Sequence, residues 1–338
     1  MALTNRQWLL KHRPGASVGS DDLDLVEAPV RDPADGEVLI RNLYLSLDPT
    51  NRLWMSNREQ YLPPVGIGEV MRGSTIGVVE ASRCERLKVG DIVMPPAGGW
   101  QLYTVEKGDH CRRLPRTEGV PLTAHLSVLG VTGMTAYFGL MDICRPVAGE
   151  VLVVTAAAGA VGSVVGQMGK IHGANVVGIA GGEAKCAWLR DLGFDATVDY
   201  KAGPVDAALD AALPRGADML FENVGGPIMD AAFSRLNRNG RMALCGMIAN
   251  YNDEGPMPGP SDFGRILMNR ITIRGFIVID YLPRAKEALG AISGWIAEGR
   301  IRWKDHVVEG LENAPSALQR LFTGDHDGKL VVRISDLD

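Results

Sequence analysis

Hydrophobic positions change their spacing partway along the chain. Over the first 125 residues they come in short runs cut by Gly and Pro: Gly36 to Pro49 alternates as strands do, and Ile67 to Ser82 and Gly90 to Gly98 read as further short strands. Many short strands with frequent turns predict a barrel-like β domain. From Leu129 to Ile143 the spacing becomes helical, and from Val151 onward β-branched apolar runs alternate with helical stretches. That alternation predicts a doubly wound α/β domain over residues 126–299. The tail returns to strand, helix, strand between Trp303 and Ile334, so residues 300–338 are expected to complete the domain begun by residues 1–125.

The first α/β unit carries the most informative chemistry. Val151 to Val154 reads as a buried strand, and Ala157, Gly159 and Gly162 take the three small-residue places of a G-x-G-x-x-G turn. A helix follows, with Val161, Val164, Val165, Met168 and Ile171 on one face. A pyrophosphate can lie against the N–H groups of a helix start only where side chains leave room, so Gly159, Ala160, Val161 and Gly162 are its expected cradle. Gly173 closes the helix, and Val176, Val177 and Ile179 give the next parallel strand. At that strand's end an NAD site usually carries Asp or Glu for the ribose 2′-hydroxyl. Here stand Ala180, Gly181 and Gly182, with Lys185 beyond. An acid would repel a 2′-phosphate, so the pattern favours NADPH over NADH; an ordinary surface role for Lys185 is the alternative.

Further strands are expected at Ala196 to Tyr200, at Ala217 to Glu222 before a polar glycine-rich turn, and within Gly240 to Asn252. In an open α/β sheet ligands collect beyond the carboxyl ends of the strands, so Asn223 and the run Cys245 to Tyr251 should face a cofactor. Gly255 to Pro260 is a loop, Ile271 to Asp280 reads as the last long strand, and Arg284 to Glu298 as a helix.

Composition narrows the class without naming it. At 338 residues the chain exceeds the usual size of one core. A net charge of −5 gives no electrostatic reason to expect nucleic acid or an anionic membrane as partner. No apolar run is long enough to span a bilayer and the N-terminal stretch lacks a signal core, so a cytoplasmic protein is expected. The five cysteines are scattered, with no C-x-x-C pair and no His at ligand spacing, so each reads as a small buried hydrophobe and no metal site is expected.

Eight segments in order carry a resemblance: Tyr44 to Pro49, Thr132 to Leu140, Ala156 to Gln167, Gly178 to Lys185, Glu222 to Gly226, Cys245 to Asn252, Gly275 to Tyr281 and Leu321 to Val332. The chain resembles the zinc-independent medium-chain dehydrogenases/reductases, in the branch of leukotriene B4 12-hydroxydehydrogenase/prostaglandin reductase, plant double-bond reductases and bacterial curcumin reductase. The resemblance implies a Rossmann domain with a GroES-like domain, a homodimer, and NADPH-dependent reduction of the carbon–carbon double bond of small hydrophobic enones or enals. By position it implies that Gly159 to Gly162 hold the pyrophosphate, and that Gly181, Lys185 and Tyr200 meet the 2′-phosphate end. Asn223, Cys245, Gly246, Ile248, Tyr251, Phe276, Ile277 and Val278 would line the ribose and nicotinamide. Tyr200 and Asn223 also read as strand-end and turn residues, and Cys245 and Phe276 as backbone and packing contributors.

The departures from the family lie on the substrate side. Thr50 stands where many relatives have Tyr, Met268 where several have Tyr, and His326, included among the cofactor candidates, where relatives commonly have Asn. Reduction of an enone needs donors for the developing enolate oxygen. Candidates are Tyr251 first, then Tyr44, Thr50, Asn51 and Tyr281, each of which also reads as a packing or turn residue; protonation by water is the alternative to a side-chain acid. Trp54, Tyr61 and Met257 suggest an apolar pocket. Quinone reduction on the same fold, and NADPH binding without turnover, are the competing readings.

Overall fold

The computed structural model describes residues 3–337; Met1, Ala2 and Asp338 lie outside it. The chain divides into two compact units: Ser127–Lys304, and the described residues of Met1–Leu126 with Asp305–Asp338.

Ser127–Lys304 is built on a six-stranded, wholly parallel sheet. Its strands lie in the order Ala196–Asp199, Asn175–Ala180, Val151–Val154, Ala217–Glu222, Leu236–Leu244, Thr272–Gly275. Numbered along the sequence this is 3-2-1-4-5-6, so the order reverses between Val151–Val154 and Ala217–Glu222, which pair directly through Leu152 and Met219. Val153, Val177, Ile179, Leu220 and Met242 are buried, as strands covered on both faces require.

The helix after the first strand, Ala160–Ile171, is covered on more than the one expected face. Val164, Val165 and Met168 are buried as the pattern predicts, but so is Gln167. Its amide is satisfied by Ser163 and by both backbone groups of Arg302, at 2.8–2.9 Å. Gly173 ends the helix at φ +78°.

The expected long strand Ile271–Asp280 is corrected. Pairing covers Thr272–Gly275 alone, and Val278–Arg284 forms a 3-10 turn that contains Pro283. This strand lies at the sheet edge with no neighbour to extend its ladder. Beyond Gly275 the chain instead packs Phe276 edge-on against Phe221 and Tyr281, with ring centroids 6.3 and 6.2 Å away.

The other unit is organised around one long strand, Glu37–Ser46. It pairs antiparallel with Thr75–Ser82, Tyr103–Lys107 and Lys329–Arg333. Register shifts at Leu39/Ile40 and Asn42/Tyr44 bend it so that one strand serves three partners. The tail thus joins this sheet through Val331 opposite Ser46, and Asp305–Glu309 continues it as a parallel neighbour. Of the expected strand run Ile67–Ser82, residues 75–82 alone form one. A core of Leu45, Met71, Trp100, Leu318 and Val332 fills the space beneath the sheet. No helix among the described residues is long and apolar enough to cross a membrane.

Candidate functional site

At the switch point the first strand runs into a turn whose geometry depends on small residues. Ala156 sits at φ +47°, Gly159 donates its N–H to the Ala156 carbonyl at 2.9 Å, and the helix begins at Ala160. A Cβ on Gly162 would stand 2.5 Å from that carbonyl oxygen and 2.8 Å from the Ala157 Cα; one on Gly159 would stand 3.1 Å from the same oxygen. Gly162 is therefore required by close helix–strand packing, and Gly159 keeps the approach to the helix start open. The N–H groups of Ala160, Val161 and Gly162 have no intrahelical acceptor, as at every helix start.

The second strand ends at another close approach. The Tyr200 ring lies over Gly181, where a Cβ would meet ring atoms at 2.6–2.8 Å. Gly182, at φ +96°, donates to Asp199 Oδ1 at 2.7 Å, and Lys201 donates to the same oxygen at 2.9 Å. Those two backbone donors hold the Asp199 carboxyl below its ordinary range. Half-buried Lys185 sits in the first turn of Glu183–Asp191. Gly181, Lys185 and Tyr200 thus share one corner, with the nearby acid tied to backbone.

Across the switch point, Asn223 joins the two central strands. Its backbone N–H donates to Thr155 Oγ1 and its side-chain amide to the Thr155 carbonyl, both at 2.8 Å. Its own carbonyl accepts from Ile248 at 3.3 Å. Just before it, fully buried Glu222 accepts from Val224 and Gly225 through Oε1, at 2.6 and 2.7 Å, while Oε2 has no partner. Burial pushes this carboxyl up to about 7. The backbone N–H groups of Cys245 and Gly246 both reach the Glu222 carbonyl, at 2.9 and 3.1 Å. Burial and the Glu222 charge push the Cys245 thiol up to about 12, which makes it a packing group with no thiolate character.

The Tyr251 hydroxyl folds back over this loop. It accepts the Met247 N–H at 3.2 Å and lies 3.1 Å from where a Gly246 Cβ would stand. Phe276 sits in the aromatic cluster with Phe221 and Tyr281, and Val278 packs with Tyr281 beside Phe138; Ile277 is half-buried between them in sequence. Tyr281 stacks on Phe138 at 4.6 Å, which gives that candidate a packing role.

In the antiparallel unit the candidates separate into two groups. Thr50 Oγ1 and Tyr61 Oη are 2.5 Å apart, and Tyr61 stays 40% exposed. Asn51 is buried and its amide is committed to backbone, accepting from Asp48 at 2.7 Å and donating to Arg72 at 3.2 Å. Tyr44 packs against the core beside Leu43 and Val331. The His326 ring meets the Arg320 carbonyl at 3.0 Å, at the end of the helix Ala314–Thr323. Met268 lies exposed on the short helix Gly264–Asn269. Thr155 lay outside the sequence motifs, and Glu222 and Lys329 lay within them without a role assigned; the buried Lys329 ammonium donates to Asp48 at 2.6 Å and to the Leu47 carbonyl at 2.8 Å. Among the described residues no group of three or more His, Cys, Asp or Glu could hold a metal ion.

Strand order, glycine turn and the separate antiparallel unit define a class: dehydrogenases and reductases that pair a Rossmann unit with a GroES-like one. Residues 6–114 match the model of the N-terminal domain of oxidoreductases, and residues 160–293 that of zinc-binding dehydrogenases. The chain is 40% identical to the NADPH-dependent curcumin reductase of Escherichia coli, over 99% of this chain and 98% of that one. It is 38% identical to prostaglandin reductase 1 of Bos taurus, over 97% and 98% of the two chains. The crystal structure of CurA from Vibrio vulnificus in complex with NADPH superposes with a TM-score of 0.93 at 42% identity, covering 98% of this chain and 99% of that one. The chain belongs to the zinc-independent medium-chain dehydrogenase/reductase family, in the branch of the curcumin and prostaglandin reductases.

Proposed function

We propose that this protein reduces the carbon–carbon double bond of α,β-unsaturated ketones or aldehydes with NADPH. The observation that carries the reading is that the likeness to a curcumin reductase and a prostaglandin reductase, at 38–40% identity, runs through both units rather than through the nucleotide turn alone. NADPH supplies the hydride when bound.

The residues fit that cofactor. Gly159 leaves the approach to the start of Ala160–Ile171 open for a pyrophosphate, and Gly162 lets that helix lie close against the Ala156–Ala157 backbone. We assign the 2′-phosphate to Lys185 and Tyr200; of the acids nearby, Asp199 is engaged by two backbone N–H groups and Glu183 by Arg190. Asn223, Gly246 and Ile248 hold the loop expected at the nicotinamide, with Tyr251 clamping it through Met247.

For the developing enolate oxygen the chain offers hydroxyls. The Tyr251 hydroxyl, whose oxygen accepts from Met247, and the Thr50–Tyr61 pair are the hydroxyls we assign to that role. The test is NADPH consumption with an alkenal, an aryl enone and a quinone, with product identification. Formation of the saturated ketone, with NADPH preferred over NADH, is expected; turnover of the quinone alone moves the reaction assignment, and binding of NADPH without any turnover defeats the enzyme reading.

We also propose a homodimer formed along Thr272–Gly275. That strand is an open sheet edge, and Phe263, Leu267, Met268, Ile279 and Leu282, all in neighbouring segments, are 42–74% exposed. Light scattering that gave a monomer mass at micromolar concentration would sink this assignment.

A further inference from the structure

Glu222 ends the strand Ala217–Glu222, beside Val151–Val154 and so at the point where the sheet order reverses. Two loops hang from this one residue. Its Oε1 accepts the N–H groups of Val224 and Gly225 at 2.6 and 2.7 Å, which shapes the turn carrying Asn223, and its carbonyl accepts those of Cys245 and Gly246 at 2.9 and 3.1 Å. Asn223 and the run from Cys245 are the stretches assigned to the nicotinamide. Holding them does not require an acid, because a glutamine oxygen would accept the same two donors without placing an ionisable group out of reach of water. The side chain is nonetheless a carboxyl, and Glu222 is 0% exposed.

Its surroundings leave the charge unanswered. From the elements packed against it come the Thr155 hydroxyl after the first strand, the backbone donors of Val224 and Gly225, and the Cys245 thiol after the fifth strand. None of these is a cation. The thiol, pushed up to about 12, stays protonated, whereas the carboxyl, raised by burial to about 7, takes both forms near neutral pH.

We propose that Glu222 is a positioning residue that also acts on the cofactor through its charge: the buried carboxylate favours the oxidised nicotinamide over the reduced one and so assists the departure of hydride. Loss of hydride, a proton with two electrons, leaves the ring a pyridinium cation, and a fixed negative charge in a low-dielectric surrounding stabilises positive charge that develops near it. Protonated, the same side chain holds both loops and supplies no such field. The inference rests on the reductase reading, with the nicotinamide at these loops, and adds to it a residue that reading leaves without chemistry.

The experiment measures the dissociation constants of oxidised NADP and of NADPH calorimetrically, without substrate, from about pH 6 to pH 8.5, in the wild type and Glu222→Gln. The cofactor 2′-phosphate titrates in this range as well, but both forms carry it, so it drops out of their ratio. Because the oxidised form prefers the ionised carboxyl, its binding should tighten relative to that of NADPH as pH rises. The ratio of the NADPH constant to the NADP constant should climb about fivefold or more in the wild type, the order expected of one buried charge at an effective dielectric of about 20. Glu222→Gln should bind both forms and show a flat ratio. Loosening of the loops weakens both cofactors alike and leaves the ratio unmoved, so a purely structural role does not imitate this result. A flat ratio in the wild type overturns the inference without recourse to any variant and leaves the reductase reading intact, as does a climb that survives in Glu222→Gln. If neither cofactor binds the wild type, the reductase reading falls and the inference falls with it.

Discussion

Asn223 grips Thr155 twice, through its backbone N–H to Oγ1 and its side-chain amide to the carbonyl, both at 2.8 Å. The two residues follow directly on the strands between which the sheet order reverses. A pair of short bonds therefore fixes the mouth of the crevice where open α/β sheets bind their ligands. Thr155→Val keeps the shape of the side chain and deletes the acceptor. We expect a loss of roughly 1–3 kcal/mol in unfolding free energy, the usual consequence of stranding one backbone donor. Denaturant unfolding and NADPH titration check this, and NADPH affinity should weaken together with stability; unchanged values for both would show that the clamp is idle.

The two turn glycines should not respond alike. At Gly162 an added Cβ meets backbone on two sides, at 2.5 and 2.8 Å, whereas at Gly159 the nearest atom is 3.1 Å away. Backbone cannot step aside as a side chain can. Gly162→Ala is expected to cost more stability than Gly159→Ala, which should act chiefly on NADPH affinity by narrowing the approach to the helix start. The pair of melting temperatures and dissociation constants decides the matter, and a larger stability loss in Gly159→Ala would reverse the assignment.

The strand, turn and helix around Val151–Ile171 were legible because periodicity and small residues are local signals, and so was the alternation that makes the sheet parallel. The grip of Asn223 on Thr155 was not legible, nor was the burial of Glu222, because each depends on which strands become neighbours. Ile271–Asp280 shows the opposite failure. Its β-branched run promises a long strand, yet pairing needs a partner, and at the sheet edge the ladder stops at Gly275. Among candidate residues, side-chain chemistry alone could not separate Asn51, spent on its own turn, from Thr50 one position earlier, whose hydroxyl is paired with Tyr61.

Cofactor choice should turn on Lys185. The second strand ends in Ala180 and two glycines where an NAD site would place an acid, and Asp199 is held by backbone donors. Lys185→Ala should raise the KM for NADPH by about tenfold, the worth of one charge-assisted contact, while changing the KM for NADH far less. Steady-state kinetics with both cofactors gives the ratio; equal effects on the two would mean that Lys185 serves the helix and not the 2′-phosphate.

Glu222 makes the folded state sensitive to pH in a direction opposite to that of most acids. Its carboxyl, ordinarily near 4.5, is raised to about 7 because burial penalises the ionised form more than the Val224 and Gly225 donors favour it. Between those two values the folded protein keeps a proton that the unfolded chain has released, so this group's contribution to stability falls as pH rises through the window and levels off above about 7. Glu222→Gln retains an oxygen for the two backbone donors and cannot ionise. The variant's melting temperature relative to wild type should therefore climb between about pH 5 and pH 8. A difference that stays constant across that range would mean the buried carboxyl does not titrate there, and that the turn carrying Asn223 is held in one protonation state throughout.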